Sequence, residues 1–194
     1  SFAHKHGVPL IVDNTFPTPV NCRPIEFGAD IVTHSTTKYM DGHGSGVGGC
    51  IVDSGKFDWT KYADKFPGLC TPDDSYHGIT YTEKFGKNAY ITKLLAQVMR
   101  DLGSIPSPHN AFLLNLGLET LAVRMKQYCK NAQAVAEYFA KSDKIESVTY
   151  PTIADSEQKA LADKYLPDGA SGVISFTIKG GRDAATKFMD SLQI

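Results

Sequence analysis

Short, uninterrupted apolar runs separated by polar segments mark the first part of the chain. They cover residues 9–13, 29–33 and 47–52. Continuous apolar runs of this length are typical of strands that are buried on both faces of a sheet. A short helical segment around residues 23–27 and several polar loops connect the runs. The pattern therefore predicts an α/β fold with a mostly parallel sheet.

Residues 55–87 show no clear period but are rich in aromatic residues, proline and glycine. So many aromatic rings are not expected in a disordered linker. We therefore expect an ordered excursion with short helices, which in a compact domain usually serves function or an interface.

Helical periodicity follows this excursion. Apolar spacing predicts a helix over residues 89–102 that ends at Gly103. Ser107 and Pro108 are typical of a helix N-terminus and begin a long helix with one apolar stripe from residue 114 to residue 139. Gly117 is a candidate for a kink in this helix.

The pattern changes after Ser142. Apolar positions then predict a strand, a helix, a second strand and a second helix, at residues 145–150, 157–166, 173–178 and 182–192. We therefore expect two domains. Residues 1–142 would form the C-terminal part of a larger domain, and residues 143–194 the start of a smaller C-terminal α/β domain.

Composition excludes several functional classes. With 42% hydrophobic and 21% charged residues, the chain has ordinary globular composition. Its net charge is −1 and it has no dense basic block, so we expect neither a nucleic-acid nor a membrane partner. The four cysteines lack C-x-x-C spacing, which favours reduced thiols in a cytoplasmic protein over a zinc site or a redox pair.

Asp13 follows the first apolar run directly. A carboxylate at the end of a buried strand is costly unless it meets a cation. In α/β sheets, ligands bind at the carboxyl ends of the strands. A protonated pyridine nitrogen is a suitable cation, and holding it protonated makes the ring an electron sink.

Lys38 follows the second apolar run, within the segment His34-Ser-Thr-Thr-Lys38. Its amine can form an imine with an aldehyde if burial or nearby positive charge keeps it deprotonated. The hydroxyl groups of Ser35 and Thr37 can donate hydrogen bonds to a phosphate. The glycines at residues 42–49 allow the backbone to pass close to a ligand.

Other interpretations of these residues have less support. The G-x-G-x-G at residues 42–46 is not followed by a helical pattern, and no P-loop sequence is present. His34 and His43 lack a third ligand at useful spacing, so no metal site is predicted. From the residues alone, Lys38 could also be a solvated lysine in a polar loop.

The chain resembles the Cys/Met-metabolism family of pyridoxal-phosphate (PLP) enzymes. The resemblance rests on residues 12–16 (VDNTF), 28–39 (GADIVTHSTTKY) and 42–43 (GH), and extends to residues 107–112 and 117–121. It implies a type I aminotransferase-like fold with PLP as cofactor. It also implies that Lys38 is the Schiff-base lysine, Asp13 the pyridinium partner, and Ser35 and Thr37 phosphate ligands.

Within this family, residues 55–59 (GKFDW) and 75–78 (SYHG) are similar to the O-acetylhomoserine sulfhydrylases. That resemblance implies γ-replacement of acetate in O-acetyl-L-homoserine by sulfide, giving homocysteine. The expected partners are therefore an amino-acid substrate and sulfide or another thiol. A homo-oligomer, with a tetramer suspected, would complete the site.

Alternatives remain at this point. A γ- or β-eliminating lyase would use the same Lys38, and a catalytically incompetent remnant would use none of these residues. The resemblance also implies that the phosphate loop, the ring-stacking tyrosine and a Tyr-x-Arg motif precede Ser1. It places the arginine that binds the substrate carboxylate after Ile194. We therefore expect an internal segment that is inactive alone.

Overall fold

The computed structural model describes residues 1–153 and 156–193. The chain forms two compact units. The first comprises Ser1–Thr15 and Arg23–Gly117, and the second Phe16–Cys22 and Leu118–Ile194. The strands in the described part of the chain are β1 (Ile11–Asp13), β2 (Ile31–Ser35), β3 (Gly49–Asp53), β4 (Ile145–Thr149) and β5 (Ser175–Ile178).

The described α-helices, in chain order, are α1 (Phe2–Lys5), α2 (Thr18–Asn21), α3 (Pro67–Cys70), α4 (Tyr81–Phe85), α5 (Ala89–Lys93), α6 (Arg100–Leu102), α7 (Pro108–Glu119), α8 (Leu121–Lys141), α9 (Ser156–Tyr165) and α10 (Gly181–Asp190). A π-helical turn joins α5 to α6. The 3₁₀ turns are Pro24–Phe27, Thr60–Tyr62, Asp74–Tyr76, Gly86–Asn88 and Pro151–Ile153.

The sheet of the first unit is mixed, in the order β1-β2-β3. β1 and β2 are parallel, with Asp13 opposite Thr33, whereas β2 and β3 are antiparallel, with Ser35 opposite Gly49. The α/β class predicted from the sequence is confirmed. The mostly parallel arrangement is not seen in this part, because a loop without a helical crossover connects β2 to β3.

Burial of these strands is uneven. Ile31 and Val32 in the central strand β2 are 1% and 3% exposed, whereas Ile11 in β1 and Val52 in β3 are 54% and 44% exposed. The expectation that all three strands are buried on both faces is therefore wrong for β1 and β3. In the described sheet these two strands lie at the edges, where fewer elements cover them.

The aromatic segment between β3 and α5 is ordered, as predicted. Trp59, 5% exposed, lies at its centre. The Trp59 ring contacts Phe57 and Phe66 edge-on, at 4.8 and 5.1 Å between centroids, and stacks on Tyr90 at 5.5 Å. These rings pack with Ile31 of β2 and form the core of the first unit.

The predicted helical boundaries near Gly103 and Ser107 are confirmed. Gly103 ends α6 in the left-handed region, and the Ser107 hydroxyl accepts a 3.1 Å bond from Asn110 N. The prediction of a single long helix is wrong, because α7 and α8 are separated at Thr120, three residues after Gly117. Gly117 itself lies within α7 and is buried.

The second unit contains the predicted strand–helix–strand–helix order after Ser142. β4 and β5 pair antiparallel, and the buried face of α8 packs on β4. Tyr150 follows β4 and donates a 2.8 Å hydrogen bond to the carbonyl of Ser171. Its ring belongs to a core with Ala132, Ala136 and Ala170.

Candidate active site

The parallel pairing of β1 and β2 brings two polar segments to one edge of the sheet. Asp13 ends β1, and Ser35 ends β2 and leads into Lys38. Because the strands run in the same direction with Asp13 opposite Thr33, both segments leave the sheet at the carboxyl edge. This is the edge where α/β folds place ligands.

The Asp13 carboxylate is exposed but fixed at one oxygen. Its Oδ1 accepts hydrogen bonds from the Thr15 hydroxyl at 2.5 Å and from Thr15 N at 3.0 Å. These two bonds, and more weakly the field of His34, lower the pKa of Asp13. The carboxylate is therefore ionised at neutral pH. Its second oxygen, Oδ2, accepts no hydrogen bond from the residues that the structure describes.

Thr15 was not among the residues predicted for the site. It is 7% exposed, and its hydroxyl accepts a 2.8 Å hydrogen bond from Ser35 N while it donates to Asp13. One buried hydroxyl thus connects the end of β1 to the end of β2. The Asp-Asn-Thr spacing, typical of an aspartate turn, was a sequence signal for the bonds from Thr15 to Asp13 but not for the bond from Ser35.

Lys38 has an exposed side chain on the turn that follows β2. The turn is closed by hydrogen bonds from Lys38 N to Ser35 O at 3.4 Å and from Gly42 N to Lys38 O at 2.9 Å. Ser35 is half-buried beside it. The structure therefore brings Asp13, Ser35 and Lys38 to one edge of the sheet.

Thr37 is engaged with the glycine segment. Its hydroxyl donates to Gly48 O at 3.2 Å and accepts from Gly48 N at 3.0 Å. A Cβ atom at Gly48 would lie 2.7 Å from the Thr36 hydroxyl. The glycine at this position therefore allows close approach of two protein segments. A phosphate contact from Thr37 would replace its bond to the Gly48 carbonyl.

Asp41 organises the loop after Lys38 and was also missed by the sequence analysis. This side chain is 4% exposed and accepts hydrogen bonds from the Ser45 hydroxyl at 2.6 Å, from Ser45 N at 2.9 Å and from His43 N at 3.2 Å. The bonds from Ser45 are the main reason why the pKa of Asp41 is lowered.

His34 is the fourth residue of β2 and is 4% exposed. Burial lowers the pKa of its imidazole, against the opposing influence of Asn14 and Asp13. The ring is therefore neutral at pH 7. Its Nδ1 has no hydrogen-bond partner among the described residues.

These side chains fit the requirements of PLP. An exposed amine can reach the cofactor aldehyde, and an ionised carboxylate with one free oxygen can meet a protonated ring nitrogen. The Ser35 and Thr37 hydroxyls lie within the lysine-bearing segment, where a phosphate group could accept from them. An α/β sheet with a lysine and an aspartate at one edge fits the type I class of PLP-dependent enzymes.

The whole chain, residues 1–194, matches the family described as Cys/Met metabolism PLP-dependent enzyme. The chain belongs to this family, and the resemblance inferred from the sequence is confirmed. PLP is the cofactor on which this family depends.

The chain is similar to individual curated relatives over nearly its whole length. The chain is 47% identical to homocysteine synthase of Schizosaccharomyces pombe over 99% of its own length and 45% of that protein. It is 44% identical to O-acetyl-L-homoserine sulfhydrylase of Leptospira meyeri, again over 99% of this chain and 45% of that protein. The chain thus spans less than half of the length of these relatives.

A solved structure shares the fold. It is a crystal structure from Campylobacter jejuni, provisionally assigned as O-acetylhomoserine (thiol)-lyase, and it contains a pyridoxyl-lysine-5'-monophosphate residue. The TM-score is 0.91 at 36% identity, over 98% of this chain and 47% of that chain. The type I fold is therefore confirmed.

Proposed function

We propose that this chain is part of an enzyme that replaces the acetate group of O-acetyl-L-homoserine with sulfide, giving homocysteine and acetate. The observation that carries the proposal is the similarity to sulfhydrylases and homocysteine synthases, at 41–47% identity over nearly the whole chain. The arrangement of Asp13 and Lys38 at one sheet edge supports the same chemistry.

Lys38 is the proposed catalytic residue. PLP, when bound, supplies an aldehyde for covalent attachment and a ring that stabilises negative charge at the substrate Cα. Lys38 would hold the cofactor through its amine. The same amine would remove the Cα proton of the substrate and move protons at Cβ. Acetate would leave from Cγ with the bonding electrons, and sulfide would form the new C–S bond there.

Asp13 is proposed to hold the ring nitrogen in its protonated state. Only an ionised carboxylate can do this, and the hydrogen bonds from Thr15 favour the ionised form. Ser35 and Thr37 are proposed phosphate ligands. Ser35 is half-buried next to the lysine turn, and Thr37 would exchange its Gly48 contact for the phosphate.

An eliminating lyase would use the same residues, so Lys38 and Asp13 do not separate replacement from elimination. The names of the relatives favour replacement.

We also propose that residues 1–142 belong to the PLP-binding domain and residues 143–194 begin a smaller domain. A cytoplasmic homo-oligomer completes the proposal, because four cysteines without C-x-x-C spacing favour reduced thiols in a cytoplasmic protein. No helix in the described part of the chain could span a membrane.

The test uses the full-length protein that contains this chain. After borohydride reduction, peptide mapping should find the pyridoxyl group on Lys38, and homocysteine should form only when sulfide is supplied. Lys38→Ala should lose both the adduct and the product, whereas Lys87→Ala, an exposed lysine elsewhere, should lose neither. An adduct on another lysine, or 2-oxobutanoate as the main product in the presence of sulfide, would refute the proposal.

A further inference from the structure

The Thr15 hydroxyl has its donor and acceptor roles fixed by its surroundings. Ser35 N is a backbone donor, so the Thr15 oxygen must accept from it at 2.8 Å. The hydroxyl proton then points to Asp13 Oδ1 at 2.5 Å. Because Thr15 is 7% exposed, little water reaches its hydroxyl group. Hydrogen-bond donation therefore runs in one direction, from Ser35 N to the Thr15 hydroxyl and from that hydroxyl to Asp13.

This chain of hydrogen bonds also fixes which carboxylate oxygen is available. Oδ1 is occupied by two donors from Thr15, one from its side chain and one from its backbone. A single backbone bond would leave the carboxyl group more freedom to rotate. With both bonds in place, Oδ2 is the oxygen that remains for a ligand. Ser35 lies three residues before Lys38, so the same hydroxyl connects the two groups proposed to bind opposite parts of PLP.

We propose that Thr15 is a positioning residue, whose buried hydroxyl holds the Asp13 carboxylate in one rotamer and in register with the Lys38-bearing strand. The inference rests on the proposed function, since Asp13 must face the cofactor ring for the positioning to matter. Thr15 acts through Asp13, and its loss is therefore expected to differ from the loss of Asp13 itself.

The first measurement needs no bound cofactor. In apoprotein labelled with ¹³C at aspartate side chains, the Asp13 signal is assigned by its absence in Asp13→Asn and followed through a pH titration. Thr15→Val removes the donor at similar volume, and the pKa of Asp13 should rise. Thr15→Ser keeps the hydroxyl, so the pKa of Asp13 should be the same as in the wild type. His34, the titratable group that influences Asp13, is the same in every variant.

The second measurement is PLP affinity by equilibrium dialysis. In Thr15→Val the Asp13 side chain is no longer held by a hydroxyl and must be ordered when PLP binds. The affinity for PLP should therefore fall by roughly three- to tenfold. Thr15→Ser should bind nearly as well as the wild type. Thr82→Val is the matched control, because it also removes a threonine-to-backbone bond, to Leu69 O, away from the site. It should not change either measurement.

Two outcomes would overturn the inference, and they can be distinguished. If Thr15→Val leaves the titration of Asp13 unchanged, Thr15 does not position Asp13, whatever Asp13→Asn does to activity. If the titration changes but Asp13→Asn binds PLP and turns over normally, the proposed role of Asp13 fails and the positioning has no purpose. Should Thr15→Val not fold, Thr15→Cys, with its weak thiol donor, replaces it with the same expected direction.

Discussion

Gly117 of helix α7 rests directly on the backbone carbonyl of Asp41. A Cβ atom at position 117 would clash with Asp41 O and would lie 2.7 Å from Met40 O. Both oxygens belong to backbone, which cannot rotate away as a flexible side chain can. The glycine therefore allows α7 to approach the loop that begins at Lys38.

Gly117→Ala should lower the free energy of unfolding by about 1–3 kcal/mol, because the added methyl group forces helix and loop apart. Urea denaturation of the full-length protein measures this. Gly68→Ala in α3 is the control, since its Cβ would meet only the Lys93 side chain at 3.6 Å. If both substitutions have the same small effect, the close approach of α7 is not present in solution.

Asp41 is predicted to stabilise its loop only while it is ionised. Asp41→Asn should lower the free energy of unfolding by about 1–3 kcal/mol at neutral pH, because the hydrogen bonds from Ser45 and His43 weaken. The folded pKa of Asp41 is lowered, so its contribution is fully present above the unfolded value of about 3.9. It is lost as the pH falls further, through the folded value.

Urea titrations between pH 7 and pH 3 test this sign. The stability difference between wild type and Asp41→Asn should be constant down to about pH 5 and should shrink below about 3.9. Asp64→Asn, at an exposed carboxylate, serves as the control. A difference that persists unchanged at low pH would mean that the charge of Asp41 does not matter.

Thr37 should show two separable effects. In the apoprotein, Thr37→Val leaves Gly48 without its side-chain partner and should cost about 1 kcal/mol of stability, whereas Ser35→Ala should cost less. Both variants should retain PLP more weakly, by roughly one to two orders of magnitude, if each hydroxyl donates to the phosphate. Thr37→Ser is the control for both effects. A Thr37→Val apoprotein as stable as wild type would contradict the Gly48 contact.

The sequence allowed prediction of features that depend on neighbouring residues. The apolar runs indicated where β2 and β3 lie. The ends of the first two runs indicated that Asp13 and Lys38 follow strands. Both signals are local in the sequence. The roles of Thr15, Asp41 and Gly117 were not predicted in the same way. Each depends partly on a contact that the local pattern does not report, such as Gly117 with Asp41 or Thr15 with Ser35.

The same reason explains the errors in the fold. The apolar run that became β3 does not encode its direction, which depends on the loop after Lys38 and not on strand composition. Likewise, the stripe from residue 114 to residue 139 continues across Thr120, where the structure separates α7 from α8. Periodicity reports which face is buried, but a short break in the backbone leaves it almost unchanged.

Two buried tyrosines offer a matched pair for the last prediction. Tyr81 is 0% exposed and Tyr150 is 1% exposed. The Tyr150 hydroxyl donates to Ser171 O at 2.8 Å, whereas the Tyr81 hydroxyl has no hydrogen-bond partner in the described part of the chain. Burial is the main reason why the pKa of Tyr81 is raised, so the phenol is neutral and its O–H is desolvated without compensation.

Tyr81→Phe should therefore leave the free energy of unfolding unchanged or raise it by up to about 1 kcal/mol, since it removes an unsatisfied buried hydroxyl and keeps the ring. The stacking of this ring on Tyr76, at 5.7 Å, should be retained. Tyr150→Phe should instead cost about 1–2 kcal/mol, because the Ser171 carbonyl loses its donor. Urea denaturation with equal m-values in the three proteins gives the comparison. If Tyr81→Phe destabilises the protein as much as Tyr150→Phe does, the Tyr81 hydroxyl has a partner in solution, and the side-chain packing around α4 differs from the one described.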